Sequence, residues 1–384
     1  MKKRIVAGLL LVTMVMGCVA CGADDSSKKT ETQKAEGSTE NGNEGATEDP
    51  IKVTLLGAGY GDKSYWDSAK AGMERLNEVY GDRVEVNIVD MTADTKKWPG
   101  ATYEAADSDA DLIITGSFQQ LDNMETIAPE YPDKDWVMFD STLDFDTYDL
   151  SNVYNMDYRA NESGYLAGMV AAHMTTTDNE GINPDKCIGF VGGMDNNPII
   201  HDFLIGYIEG AKAVEPDIKI AVSYLGSFED SAKAKETAMA QFNSNNVDVV
   251  FSVAGAAGTG CIEAAANDGK YVIGVDSDQT LLYEGRPEQN RIITSALKRV
   301  DESIIYAVGK YLDGDLPFGK NEVLGVKENA AGIVYNDILT GYVGEDFIKT
   351  LKEAEEKIAS GEIKVTSSSD ITTDQVNEMV QSVK

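Results

Sequence analysis

The sequence predicts an α/β protein of two similar lobes, each a parallel sheet covered by helices, with a ligand cleft between them. Three observations carry that expectation. Short β-branched runs alternate with longer amphipathic stretches, as parallel strands joined through helices require. The same order of runs recurs about one domain length further on. Finally, the chain from Ile51 onward holds 384 − 50 = 334 residues, about two average domains, within a sequence whose 42% hydrophobic content is ordinary for globular cores.

The chain opens with a basic segment, Lys2-Lys3-Arg4, followed over residues 5–16 by an apolar run without a charge. That pattern reads as a signal peptide over residues 1–20, too short to span a bilayer. It ends at Met16-Gly17-Cys18-Val19-Ala20-Cys21-Gly22, where small residues precede a cysteine as they do in the lipoprotein processing motif. Cys21 is the expected lipidated residue and Cys18 the alternative frame. Loss of both cysteines from an ordinary secreted protein is the rival reading. Residues 22–50 contain no aromatic residue and no aliphatic one larger than Ala, so residues 21–50 form a tether that cannot bury enough surface to offset chain ordering. Removing residues 1–20 takes away three basic groups and no acidic ones, moving the formal charge from −32 to −32 − 3 = −35. Such a surface repels nucleic acid and anionic lipid.

In the body, residues 51–56, 84–89, 111–115 and 136–139 read as strands and residues 65–80 as an amphipathic helix. A second series follows. The run beginning at Asp217 resembles the one at Asp82 (217 − 82 = 135), and the run at Asp248 resembles the one at Asp111 (248 − 111 = 137). Between them, Gly210 and Gly72 fall at matching places in matching helices (210 − 72 = 138). The common spacing, more than any single match, predicts two alike lobes. Loops after the strands of such lobes form a crevice at the carboxyl ends of the sheets. Here these are residues 57–66, 116–119, 140–142, 192–197, 254–260 and 276–279. Asp62, Ser64, Tyr65, Trp66, Phe118, Asp140, Met194, Gly255 and Asp276 lie on them and are candidate ligand contacts. Asp62 and Asp140 have an equal claim as caps. Asp278 reads as a turn residue. Cys187 and Cys261 read as small buried hydrophobes, with a disulfide between them left open.

Five motifs, in order, now carry a resemblance. Asp62-Lys63-Ser64-Tyr65-Trp66, the run from Tyr158 to Gly168, Ile188-Gly189-Phe190-Val191-Gly192-Gly193-Met194, Gly274-Val275-Asp276-Ser277-Asp278-Gln279 and Thr294-Ser295-Ala296-Leu297-Lys298 resemble the basic membrane protein family of substrate-binding lipoproteins. The similarity spans residues 51–333 or so. It implies a type I periplasmic-binding-protein fold, an ABC permease as partner, a nucleoside-like ligand, a monomer anchored outside the cytoplasm by its lipid, and no cofactor or metal. It implies lobes of residues 51–157 plus about 297–320 and residues 158–296 plus about 321–370, followed by a tail, residues 371–384, that is either a helix or a disordered end. By resemblance, Tyr65 and Phe251 stack on a base, while Asp276 and Lys298 hold a ribose. Trp66 stands where the pattern usually has Asn. One departure stands out: many relatives carry an acid in the loop after the first strand, where this chain has Gly57-Ala58-Gly59-Tyr60-Gly61.

Other classes lack their parts. No Gly-x-Gly-x-x-Gly, Gly-x-Ser-x-Gly or His-x-x-x-His is present, and His173 and His201 read as packing residues. A carboxylate-based nucleoside hydrolase using Asp276, a sugar- or flavin-binding relative, and a lipid-anchored sensor are the alternatives.

Overall fold

The computed structural model describes residues 49–61 and 65–384. The signal segment, Cys18, Cys21, nearly all of the tether, Asp62 and Ser64 therefore lie outside the described residues. The body opens with β1 (Ile51–Gly57), α1 (Tyr65–Tyr80), β2 (Val84–Asp90), α2 (Trp98–Ala106), β3 (Leu112–Gly116), α3 (Leu121–Ile127), β4 (Asp135–Phe139) and β5 (Val153–Tyr158). It continues with α4 (Ala160–Met174), β6 (Cys187–Gly192), α5 (Pro198–Val214), β7 (Lys219–Tyr224), α6 (Ser231–Ser244), β8 (Val249–Val253), α7 (Thr259–Asp268), β9 (Tyr271–Asp276) and β10 (Ile292–Lys298). The last part is α8 (Val300–Leu312), β11 (Lys320–Leu324), β12 (Ala331–Ile333), α9 (Asp337–Val343), α10 (Glu345–Ser360) and α11 (Thr373–Gln381).

Two six-stranded sheets result, ordered β11-β5-β4-β3-β1-β2 and β12-β10-β9-β8-β6-β7. Among the described residues every strand pairing is parallel except that of β12 with β10. Without the edge strands β11 and β12 the two orders are identical, and each reverses between its first and third strands (β1/β3 and β6/β8). That reversal opens a crevice at the carboxyl ends of the strands. The central strands β3, β6, β8 and β9 are buried throughout, as strands covered on both faces must be. This is the predicted α/β architecture of two doubly wound lobes.

The chain passes between lobes at Tyr158 to Ala160, Lys298 to Val300 and Leu324 to Ala331. These passages run side by side. Arg159 donates its N–H to the Leu324 carbonyl (2.8 Å) and Arg299 to that of Ala330 (2.9 Å). Ser163 donates its hydroxyl to Leu297 O (2.7 Å) and accepts from Gly332 N (2.9 Å). The first sheet thus takes back α8 and keeps the chain through Leu324, rather than over residues 297–320. Edge strand β11 is only partly buried, so its sequence carries little hydrophobic signal, yet it pairs along its length with β5. The tail is ordered as well. Thr372 and Gln375 form a reciprocal cap at the start of α11, Val376 and Val383 are buried, and Ile220 donates its N–H to Val383 O (2.7 Å).

The equivalent helix pairs are α1 with α8 and α5 with α4. In the second pair the backbones nearly touch. A Cβ on Gly206 or Gly210 would collide with the carbonyl oxygen of Asn161 or Tyr165, so only glycine permits this approach.

Candidate functional site

The strand ends that face one another across the crevice carry a charged group. Asp140 follows β4 and Asp276 ends β9, at equivalent positions (276 − 140 = 136), and both adopt a left-handed backbone with φ of 62° and 67°. Aspartate tolerates that region better than most residues. Between them stands Lys298, the last residue of β10 and only 5% exposed. Its Nζ lies 2.7 Å from Asp140 Oδ1 and 3.5 Å from Asp276 Oδ1. It also lies 4.8 Å from the Tyr65 ring centroid, a cation–π distance. Each lobe therefore supplies one carboxylate to a shared ammonium.

Burial pushes the Asp140 carboxyl up to about 6, against the pull of Lys298. For Lys298 burial alone would act downward, but the two carboxylates outweigh it and hold the ammonium above its usual range. Burial, then the Asp140 charge, raises the Tyr65 hydroxyl well above the usual phenol range.

From this group a cavity of about 330 Å³ extends between the lobes. Aromatic residues wall it. Tyr65 meets Trp66 edge-on at 4.8 Å and Phe139 at 5.4 Å, and Trp66 meets Trp98 edge-on at 6.2 Å. Across the cleft, Phe118 of the first lobe faces Phe228 of the second, with ring centroids 6.4 Å apart. Phe118 is 44% exposed and meets Phe228 across the cleft.

Of the sequence candidates, Tyr65, Trp66, Phe118, Asp140, Gly255, Asp276 and Lys298 line this cavity together. Two do not. Phe251 is 0% exposed and packs among Phe190, Phe203 and Tyr207 at 5.7, 5.8 and 5.2 Å. Alternation along β8 turns its side chain toward α4 and α5, and the strand runs two residues further to Val253, which does reach the cavity. Met194 is half-buried on the loop after β6 and stands off the lining. Asp278 caps the turn that follows it, accepting from Thr280 N (3.0 Å) and Thr280 Oγ1 (2.6 Å). His173 stacks on Phe347 at 3.7 Å, His201 packs against Tyr224, and Cys187 and Cys261 are free buried thiols.

Trp98, Asn197, Phe203, Phe228 and Glu229 line the cavity without having been singled out from the sequence. Phe228 had a signal: it is an aromatic residue within the polar turn Gly226-Ser227-Phe228-Glu229-Asp230, where its ring packs only partly against the second lobe's core.

Two doubly wound lobes enclosing an aromatic cavity, with three parallel crossings as a hinge, define a solute-binding protein of the ABC-importer class. The chain belongs to the Bmp family, described as ABC transporter substrate-binding protein PnrA-like, which it matches over residues 52–369. Among curated relatives, Basic membrane protein D of Borreliella burgdorferi is 30% identical over 325 residues, covering 84% of this chain and 89% of that protein. The ABC transporter nucleoside-binding protein BmpA of Lactococcus lactis is 30% identical over 338 residues, covering 83% and 88%. Among solved structures, an ABC transporter solute-binding protein from Aeropyrum pernix superposes with a TM-score of 0.71 at 27% identity, covering 87% of this chain and 98% of that one. Membership of this family brings a small-molecule ligand and a transporter permease as partners. No helix among the described residues is long and apolar enough to cross a membrane.

Proposed function

We propose that this chain captures a nucleoside outside the cytoplasm and delivers it to its permease, anchored as a monomer by lipid on Cys21 or, in the alternative frame, Cys18. The observation that carries the reading is the Asp140–Lys298–Asp276 group at one end of an aromatic slot. Vicinal sugar hydroxyls donate to the carboxylates and accept from the ammonium, while a flat heterocycle desolvates both its faces between rings. The BmpA relative of Lactococcus lactis, nucleoside-binding by name, supports the same ligand class. Among the described residues three carboxylates and one ammonium line the cavity, so a phosphorylated ligand meets net repulsion there and the free nucleoside is favoured. The carboxylates that a hydrolase would use are held by Lys298 instead, which favours binding over turnover.

Because each lobe supplies only part of the contact surface, the ligand stabilises the closed form through its differential contacts. Calorimetry of the mature chain with a nucleoside, its free base and its 2′-deoxy analogue tests the reading. Asp276→Ala should weaken the riboside far more than the base. Equal weakening of all three would remove the ribose contact, and binding of a sugar or flavin but no nucleoside would overturn the ligand class. Mass spectrometry of the native N-terminus tests the anchor: an unmodified chain released into the medium overturns it.

A further inference from the structure

The order of strands gives the cavity a direction. Asp276 and Lys298 stand at the ends of β9 and β10, toward one side of the second sheet, whereas the loop after β7 belongs to its opposite, outermost strand. Phe228 and Glu229 lie on that loop, and both line the cavity. The matching distal loop of the first lobe, after β2, supplies Trp98 and Thr95. A nucleoside whose sugar lies at Lys298 therefore extends its ring toward Phe228 and Glu229.

The loop that carries Glu229 is fixed from several sides. Ser227 donates its N–H to Gly193 O (3.1 Å), and Ala257 donates its own to Phe228 O (2.8 Å). The Ser227 hydroxyl oxygen accepts from Glu229 N (3.0 Å) and Asp230 N (3.2 Å). Of the three carboxylates lining the cavity among the described residues, Asp140 and Asp276 are bound to Lys298; Glu229 is the third. Other polar groups at this end are committed or neutral. Asn197 Oδ1 is occupied by the N–H groups of Ile199 (2.9 Å) and Ile200 (3.3 Å). In the loop after β1, the described residues 58–61 hold no carboxylate, and Asp62 lies outside the described residues.

We infer that Glu229 reads the edge of the bound ring and selects rings that present two adjacent N–H donors, as guanine does. The inference rests on the nucleoside reading. A carboxylate offers two parallel acceptor oxygens, which match the ring N–H and exocyclic amine of a guanine edge. An adenine edge sets one amine beside an unprotonated ring nitrogen, whose lone pair opposes the second oxygen. Hypoxanthine, with the ring N–H and no amine, falls between them.

Calorimetry of the mature chain with guanosine, inosine and adenosine provides the test, with Glu229→Gln as the variant because it keeps shape while replacing one acceptor by a donor. The wild type should prefer guanosine to inosine and inosine to adenosine. In E229Q the guanosine-to-adenosine preference should fall roughly tenfold or more, the loss expected when a charge-assisted bond is removed, with adenosine bound as well as before or better. The unliganded variant should unfold at the wild-type temperature, since residue 229 is exposed. A wild type without preference, or an E229Q that weakens guanosine and adenosine equally, overturns the assignment of Glu229 and leaves the nucleoside reading standing. A wild type that binds no nucleoside overturns both.

Discussion

The two lobes share a topology and differ in how their crossover helices are held. In the second lobe Gly164 and Gly168 of α4 meet Gly206 and Gly210 of α5, with each glycine against the partner's backbone. In the first lobe Gly72 alone makes such an approach, its Cβ direction ending 2.7 Å from Asp301 O; apolar side chains such as Met73, Leu76, Ile304 and Val308 fill the interface, and polar contacts flank them. Arg75 pairs with Glu302 (2.8 Å) and Asp301 (3.4 Å), Asp301 N donates to Ser68 Oγ (3.2 Å), and the Tyr80 hydroxyl donates to Ile305 O (2.7 Å). A repeated architecture thus fixes strand order without fixing the interaction that closes it. The second lobe closes backbone against backbone, the first through side-chain packing with polar pairs at its margin.

The largest difference should come from the glycines. Gly210→Ala places a methyl group into the Tyr165 carbonyl, and we expect at least about 3 kcal/mol of destabilisation. Gly72→Ala, where α8 has fewer backbone contacts to keep, should cost about 1 kcal/mol. Equal urea midpoints for the two variants would erase the contrast.

Next comes the group that joins the lobes. Lys298→Met leaves two buried carboxylates without their cation and should destabilise the protein by about 3–5 kcal/mol near neutral pH, as removal of one partner from a buried pair does. Ligand binding should be lost with it. Denaturant titration at pH 5 should show a smaller cost, because Asp140 then protonates more readily.

Asp140 also sharpens the comparison by itself. Its folded-state pKa, raised from 3.8 to about 6 by burial, means that the folded state binds this proton more tightly than the unfolded chain. Its contribution to stability is full below about pH 4 and is lost as pH rises through about 6. Asp140→Asn removes that dependence, so the stability of D140N relative to wild type should climb between pH 4 and 6 and level off above. A flat difference across that range would assign the titration to another group.

The smallest effect belongs to Arg75→Met. Its side chain is 40% exposed, so water screens its pairs, and the expected loss is about 1 kcal/mol or less, shrinking further with added salt. A larger, salt-insensitive loss would mean that the Arg75 pairs contribute to closing the first lobe as much as its apolar side chains do.

Much of this was legible in the sequence, for reasons particular residues explain. Strands β1, β3 and β4 announced themselves because buried parallel strands are continuous hydrophobic runs, and edge strand β2 by its alternation; near-equal loops kept the repeat spacing constant enough to detect. Asp276 was readable because it sits where a strand ends, and Lys298 through the family resemblance. Phe251 misled, since one dimension shows an aromatic residue near a strand end but not the face to which it points. Trp98 and Phe228 were missed for the opposite reason: their loops follow the outermost strands, distant in sequence from the motifs at Asp276 and Lys298 that share their cavity. The Thr372/Gln375 cap was visible at a spacing of three, and it decides the tail as a helix.

The three crossings have a consequence for how the chain can be made. The first sheet ends its initial run at Tyr158 but lacks α8 and β11 until residue 324 has been added, and the second sheet waits for β12 and the helices after it. No prefix ending before Leu324 contains a finished lobe. A growing or translocating chain therefore carries exposed strand edges and an uncovered α1 face until nearly its whole length is present, which makes it a natural client for chaperones before it ever meets a ligand.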